Sequence, residues 1–140
     1  YGDIEITRFI NRLMRRGKKS VAEKILYGAL NLISKRMPNE KPLDVFHAAL
    51  KKATPLVEVK ARRVGGSTYQ VPIEVRAMRG RALAFRSIIA AAAARSGKTY
   101  SDRLAAELLE AYDNRGGAVK NKIDKHKMAD ANRAFSHLVW

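Results

Sequence analysis

The chain has 140 residues and a mass of 15.6 kDa, and its 28 Lys and Arg outnumber its 13 Asp and Glu to leave a formal net charge of +15. This length predicts one domain that spans residues 1–140. Because the chain has no Cys, disulfide frameworks, Cys-based zinc sites and thiol nucleophiles are excluded. The longest apolar run, residues 88–94, is too short to span a membrane, and no signal-peptide pattern is found, so a cytoplasmic location is expected.

The basic residues are spread along the whole chain. Residues 1–70 hold 15 basic and 6 acidic side chains, and residues 71–140 hold 13 and 7. A folded domain with a sequence pI near 10.5 favours a polyanionic partner, most often a nucleic acid. An anionic membrane is the weaker alternative, because no strongly amphipathic helix with aromatic anchors is found.

Three helices are predicted before residue 56 from apolar residues at three- and four-residue spacing. Their apolar stripes are Ile6, Phe9, Ile10 and Leu13; Val21, Ile25, Ala29, Leu32 and Ile33; and Leu43, Phe46, Leu50 and Ala53. Gly17 is a stop signal for the first helix, and Ser20 and Glu23 have the spacing of a capping box for the second. Pro38 ends the second helix, and Pro42 suits the first position of the third.

The period then changes to two residues, which predicts a β-hairpin over about residues 57–75. Val57, Val59 and Ala61 alternate with polar residues in the first strand, and Val71, Ile73 and Val75 alternate in the second. The Gly-rich segment between them predicts a connection of several residues. We expect the base of the hairpin to pack on the helices and its tip to be free; a wholly buried ribbon is the alternative.

Three more helices are predicted after the hairpin. The fourth is alanine-rich, which favours close approach by its neighbours, and Thr99 and Asp102 form a capping motif for the fifth. Gly116 and Gly117 break the fifth helix, and Asn121 is the expected cap of the sixth. The expected apolar residues of the sixth helix are Ile123, Met128, Ala131, Phe135 and Leu138. The predicted fold is therefore mainly α: a six-helix bundle with an extended β-hairpin inserted between helices three and four.

Four basic clusters are candidates for nucleic-acid contact, because guanidinium and ammonium groups bind phosphates. They lie in the loop between the first two helices, on the hairpin, directly after the hairpin and on the sixth helix. The predicted RNA-binding residues are Arg15, Arg16, Lys18, Lys19, Lys60, Arg62, Arg63, Gly65, Gly66, Ser67, Thr68, Tyr69, Gln70, Arg76, Arg79, Arg81, Lys120 and Lys122. Lys18 and Lys19 directly precede a helix N-terminus, where free amides favour a phosphate oxygen.

Catalysis has little support in the sequence, and no cofactor or metal is expected. No HExxH, GxGxxG or Walker-type motif is present. His126 with Asp124 and Asp130 could be drawn as a metal site, but a polar helix face is the better interpretation. Met78 and Met128 are interpreted as core or packing residues.

Three separated motifs resemble the family of ribosomal protein seven of the small subunit, in its bacterial or organellar form. They are the hairpin sequence of residues 57–72, the segment with Gly17, Lys18 and Lys19, and residues 128–137. The resemblance implies direct binding to the head domain of 16S ribosomal RNA and nucleation of head assembly. It also implies a place near the decoding centre at the subunit interface, with the hairpin reaching messenger RNA and exit-site tRNA. Ribosomal proteins nine and eleven of the small subunit are the implied protein partners.

Two other classes of function stay open from the residues alone. An architectural DNA-binding protein with a β-arm is the first, although such arms tend to carry an apolar wedge and this tip is glycine-rich and polar. An RNA-modifying enzyme is the second, and it lacks a recognisable cofactor loop or acid–base pair.

Overall fold

The computed structural model describes residues 3–138, which form six α-helices, a two-stranded antiparallel hairpin and a short 3-10 helix. The helices are α1 (Ile4–Leu13), α2 (Lys19–Arg36), α3 (Pro42–Ala53), α4 (Ala77–Ala94), α5 (Tyr100–Tyr112) and α6 (Gly117–Ala131). The strands are β1 (Val57–Val64) and β2 (Ser67–Glu74), and the 3-10 helix is Arg133–Leu138. The predicted fold is confirmed, with the hairpin between the third and fourth helices.

Three phenylalanines join α1, α3 and α4 at the centre of the core. The Phe9 ring meets Phe46 and Phe85 edge-on, with ring centroids 5.3 and 5.5 Å apart. Such edge-to-face contacts are a favoured aromatic geometry and add to the energy of apolar burial. The core therefore fixes α1, whose basic face matters below, firmly against α4.

The alanine-rich α4 is approached closely by α6, as the sequence predicts. A Cβ placed on Gly117 would lie only 3.1 Å from the Cβ of Ala91. Small residues at this crossing bring the two backbones together and allow the start of α6 to pack on both α4 and α5.

The capping box predicted at Ser20 is wrong, because α2 begins at Lys19 with Lys18 as its N-cap. A turn at Arg16 and Gly17, with φ of 54° and 71°, brings the chain into the helix before Ser20 is reached. The predicted stripe of α2 is also displaced. Its buried residues are Ala22, Leu26, Ala29, Leu30 and Ile33. Because α2 packs against α1, α3 and α5, these neighbours together select the buried face, and Val21 stays exposed.

The predictions for α6 fail in a similar way. The helix begins at Gly117 with Gly116 as N-cap, four residues before Asn121, and its buried residues are Ala118, Val119 and Ala129. The side chain of Glu107 accepts a hydrogen bond from the Ala118 amide at 3.3 Å, so a neighbouring helix does the work of a local cap. Ile123 and Met128 are exposed. Met78 is also exposed, at 77%, so the interpretation of the two methionines as core or packing residues is wrong.

The predicted stop of the first helix at Gly17 is wrong, because α1 ends at Leu13 with Met14 as its C-cap. The following helix ends agree with the sequence. Pro42 opens α3, α2 stops at Arg36 before Pro38, and Thr99 and Asp102 form a complete capping box on α5. Within residues 3–138, no helix has the length and apolar character needed to cross a membrane.

The hairpin turns on only two residues, so the predicted connection of several residues is wrong. Val64 pairs with Ser67, and Gly65 and Gly66 have φ of 58° and 83°. Glycine takes these positive φ values without strain, which allows the tightest hairpin connection. Consequently Ser67 and Thr68 belong to β2 and not to a loop.

The register also places the apolar residues of the two strands on opposite faces. Lys60 pairs with Val71, and Val59 pairs with Pro72. The face of Val71, which is fully buried, therefore also carries Glu58, which is 8% exposed. From the alternation in β1 alone, the face that carries Val57 and Val59 would be expected to be buried. The structure buries the other face, because the alternation within one strand does not specify its register with β2.

Candidate nucleic-acid interface

The loop between α1 and α2 exposes a dense group of positive charge, which we call the loop cations: Arg15, Arg16, Lys18 and Lys19. All four residues are exposed, and none forms an ion pair within residues 3–138. Hydrogen bonds from the Lys18 amide to the Arg15 carbonyl (3.1 Å) and from the Lys19 amide to the Gly17 carbonyl (3.0 Å) hold the loop backbone. The charges therefore sit on an ordered turn that faces solvent.

The same loop leads into the N-terminus of α2. The N-cap residue Lys18 makes no side-chain hydrogen bond to the first turn, and that turn contains no acidic residue. The first amides of a helix without such a cap are free to donate to an anion. The loop cations thus adjoin backbone donors that suit a phosphate oxygen.

One arginine of α5, Arg103, lies near this loop, and the sequence did not indicate this proximity. Burial raises the pKa of Tyr100, and the nearby Arg15 and Arg103 partly oppose that rise. The guanidinium carbon of Arg103 lies 5.1 Å from the centre of the Tyr100 ring. Arg15 and Arg103 are 88 positions apart, so no local pattern could have indicated that they share this region.

A groove between α1 and α4, which we call the α1–α4 groove, is lined by three arginines: Arg8, Arg12 and Arg81. It has a volume of ≈ 400 Å³, and Asn11, Met78 and Phe85 also line it. Arg8 and Arg12 are not among the predicted RNA-binding residues. Their four-residue spacing on an amphipathic helix was the available signal, since it places both on one face.

The arginines that follow the hairpin are partly engaged within the protein. Arg79 holds Glu58 with two hydrogen bonds, Nε to Oε1 at 2.7 Å and Nη2 to Oε2 at 3.3 Å, and Arg81 pairs with Glu5. Hydrogen bonds from Arg79 lower the pKa of Glu58, although burial opposes this shift. Each of the two arginine side chains is still about half exposed, at 52% and 51%. Arg76 is exposed at the N-cap of α4.

These ion pairs join the base of the hairpin, α4 and α1 into one surface, on which both arginines stay about half exposed. Arg79 joins α4 to β1, and Arg81 joins α4 to α1. Lys122 of α6 adds to this surface, since it lines a second groove of ≈ 590 Å³ together with Arg81 and the residues that enter the hairpin. Lys120 is exposed on the same helix. The loop cations follow directly from the helix that carries Arg12.

The end of the hairpin projects from the body. Residues 63–68, which we call the hairpin tip, are all exposed. A Cβ placed on Gly65 or Gly66 would meet no atom of the described residues within 4 Å. Each strand has eight residues and is roughly 26 Å long. Lys60 and Gln70, further down the strands, are exposed as well.

Two predicted RNA-contact residues of the hairpin also touch the body. The Tyr69 ring lies 5.1 Å from the Phe135 ring, and the Arg62 guanidinium donates to the Leu138 carbonyl oxygen. Both residues are half-buried. The structure thus separates them from the exposed tip.

Two of the histidines, His126 and His47, contact residues that are distant in the sequence. His126 Nε2 accepts a hydrogen bond from the Leu56 amide at 3.0 Å. His47 lies between Asp3 and Glu5, at 2.9 and 3.5 Å. Within residues 3–138, no group of His, Asp or Glu side chains has the geometry of a metal site.

Comparison with known proteins identifies closely similar sequences. The family model for ribosomal protein S7p/S5e matches residues 1–133. The chain is 58% identical to small ribosomal subunit protein uS7 of Beijerinckia indica, 54% to that of Phenylobacterium zucineum and 52% to that of Desulfotalea psychrophila. Each match covers all 140 residues of this chain and 89% of the related protein.

Proposed function

Because the chain belongs to the ribosomal protein S7p/S5e family, we propose that it is a primary binder of 16S ribosomal RNA that nucleates assembly of the head of the small subunit. Proteins of this family are structural components of the ribosome and not enzymes. The chain is accordingly a structural protein of the small ribosomal subunit that takes part in translation.

The single observation that carries the proposal is the exposure of the loop cations. Four cations on one ordered turn, without carboxylate partners in the described residues, keep their full charge for phosphates. Each phosphate neutralised by such a side chain releases condensed counterions, which drives binding. The loop is therefore the main electrostatic contact with ribosomal RNA.

The α1–α4 groove adds a concave surface to the charge of the loop cations. Arg8, Arg12 and Arg81 line a concavity whose remaining wall includes the apolar Met78. Folded RNA is recognised largely through backbone geometry and unstacked bases, and a concave basic wall with an apolar patch fits both. We assign this groove, with Arg76 and Arg79, to the same RNA.

The hairpin tip has a separate task in this proposal. It projects beyond the contacts of the hairpin with the body, and its polar side chains and glycines allow close approach of a nucleic-acid backbone. The tip reaches messenger RNA and exit-site tRNA near the decoding centre, while the helical body binds head RNA. Ribosomal proteins nine and eleven of the small subunit are the neighbours that we propose for the body.

Selection between RNA and DNA tests the main proposal. The purified chain is titrated with a head-domain 16S RNA fragment and with duplex DNA of equal length at moderate salt. We expect at least tenfold tighter binding to the RNA, with a log–log salt slope of magnitude about 5 or more. Equal affinity for DNA would favour an architectural DNA-binding protein, and a slope near 1 would argue against several basic clusters acting together.

Shortening the hairpin tests the separate task of the tip. Deleting Arg63, Val64, Ser67 and Thr68 removes two cross-strand pairs and keeps Gly65 and Gly66 as the turn. The pairing alternates between two types along an antiparallel ribbon, so removal of two pairs preserves the local geometry. Thermal stability should change little and head-RNA affinity should fall by no more than about 1–2 kcal/mol.

Ribosomes that carry the shortened protein should assemble but release exit-site tRNA or maintain the reading frame abnormally. Failure of the shortened protein to enter subunits would contradict this division between body and tip. Normal behaviour of exit-site tRNA would contradict it too.

A further inference from the structure

A two-stranded ribbon is only marginally stable by itself, so its direction depends on what holds it. The base of this hairpin is held by the Glu58–Arg79 pair and by burial of Val71. Those contacts lie within the first four of the eight cross-strand pairs, counted from the end of the hairpin that joins the body. The direction of the distal half therefore depends on other contacts that are closer to the tip.

The contact further along comes from the 3-10 helix Arg133–Leu138. The rings of Tyr69 and Phe135 are tilted by 48° with centroids 5.1 Å apart, and Arg62 donates to the Leu138 carbonyl oxygen. Arg62 and Tyr69 are directly paired across the two strands. We call these four residues the hairpin clasp. It holds both strands at one level, one strand through an aromatic contact and the other through a charged hydrogen bond.

The clasp lies at the boundary between the packed and the free part of the hairpin. Beyond it only two cross-strand pairs remain, Arg63 with Thr68 and Val64 with Ser67, and all four residues are exposed. A support at this level restricts the angle of the tip far more than one at the base, because the unsupported length is short.

We propose that the 3-10 helix, through Phe135 and the Leu138 carbonyl, positions the hairpin tip and sets the direction in which it points. Tyr69 and Arg62 act as positioning residues in this arrangement, and the tip beyond them makes the contacts with nucleic acid. The consequence for RNA rests on the proposed function, whereas the restraint on the hairpin belongs to the free protein and is tested without RNA.

Because the chain has no cysteine, spin labels can be attached at introduced cysteines alone, and pulsed electron–electron double resonance can then measure the restraint. Spin labels at Ser67→Cys in the tip and Asn31→Cys on the exposed face of α2 report the distance between hairpin and body. In the otherwise unchanged chain we expect one narrow distance distribution. Phe135→Ala should at least double its width.

Three further variants separate the clasp from general loosening. Phe135→Tyr keeps a ring at the contact and should keep the narrow distribution. Ser136→Ala changes an exposed neighbour on the same 3-10 helix and should also leave it narrow. Tyr69→Ala removes the contact from the other side and should broaden the distribution as Phe135→Ala does, with no further broadening in the double variant.

A narrow distribution in both Phe135→Ala and Tyr69→Ala would overturn the proposal. Equal broadening in Ser136→Ala would overturn it as well, because the effect would then not depend on the ring contact. A separate titration with head RNA distinguishes this failure from failure of the proposed function. The clasp variants should bind that RNA within about threefold of the parent, since the loop cations are unchanged.

Discussion

Basic side chains have opposite environments in two regions of this molecule. The loop cations between α1 and α2 are exposed and form no ion pair within residues 3–138. Arg95, in contrast, is enclosed between α4 and α5, where it bonds Glu107 at 3.0 Å and Glu110 at 2.8 Å. Arg79 lies between these extremes, paired with Glu58 and half exposed. The difference teaches that the net charge of +15, which already counts the acidic residues, does not say which of the 28 cations are offered to a partner, because acidic residues from distant segments pair with particular cations.

The largest effect on folding is expected from Arg95→Ala. Glu107 is 1% exposed, and removal of Arg95 leaves its carboxylate buried without a cation. The free energy of unfolding should fall by about 3 kcal/mol, measured by urea denaturation.

Arg115→Ala is the matched control for Arg95. Its pair with Asp113, at 3.5 Å, is exposed at both ends, so its loss should cost less than about 0.5 kcal/mol. Similar losses of unfolding free energy in Arg95→Ala and Arg115→Ala would contradict this prediction, because burial would then not strengthen the ion pair of Arg95.

The largest effect on RNA binding is expected from the double variant Lys18→Ala/Lys19→Ala. Loss of two phosphate contacts should weaken head-RNA binding by roughly 2 kcal/mol and reduce the salt slope by roughly 1.5–2. Thermal stability should be unchanged, because both side chains are exposed. Titrations at several salt concentrations measure both quantities.

Lys35→Ala/Arg36→Ala removes the same charge from the other end of α2, where both residues are exposed. It should leave affinity within about threefold of the parent, since only general electrostatics change. Equal losses in the two double variants would indicate that net charge, not the loop, decides binding.

An intermediate effect, on acid stability, is expected from Arg79→Ala. Arg79 lowers the pKa of Glu58 from its ordinary value of 4.5, so the folded protein favours the ionised carboxyl. This stabilisation is complete above the ordinary pKa and is lost as the pH falls through the lower pKa of the folded state. The decline in unfolding free energy below pH 4.5 should therefore be shallower in Arg79→Ala.

Because Arg79 is half exposed, solvent screens the pair, and the difference from the parent at neutral pH should be small. Denaturation between neutral pH and pH 3 measures it. An unchanged acid dependence would mean that Glu58 does not depend on Arg79 for its ionisation.

The smallest effect is expected from Met78→Gln. Met78 is 77% exposed, so the free energy of unfolding should change by less than about 0.5 kcal/mol. A loss of several kcal/mol, typical of a truncated core side chain, would restore the interpretation of Met78 as a core residue.

Most of the fold could be predicted because its signals are local. The stripe of α1, the capping box at Thr99, the prolines around α3 and the period of two in the hairpin each depend on residues a few positions apart. The failures at Ser20 and Asn121 have a common cause. In both cases a helix begins earlier than its best local cap, because a turn at Arg16 and Gly17 leads the chain into α2 and Glu107 of a neighbouring helix caps α6.

The candidate interface was predicted less completely. The loop cations lie together in the sequence, and the structure keeps them together and exposed. Arg8 and Arg12 were missed because the groove that they line exists only where α1 packs against α4. Arg62 and Tyr69 have the composition of RNA-binding residues, yet they contact a segment more than 60 positions away.

The sequence by itself determined the helical class, the place of the hairpin and the family, because hydrophobic period, turn residues and motif spacing are properties of short segments. Only the tertiary structure decided which cations stay free, which face of the hairpin is buried and what supports its tip. Ion pairs such as Glu58–Arg79 and contacts such as Tyr69–Phe135 form between residues 21 and 66 positions apart. Their energies depend on distance and burial in the folded molecule, and these quantities do not exist until the helices have packed.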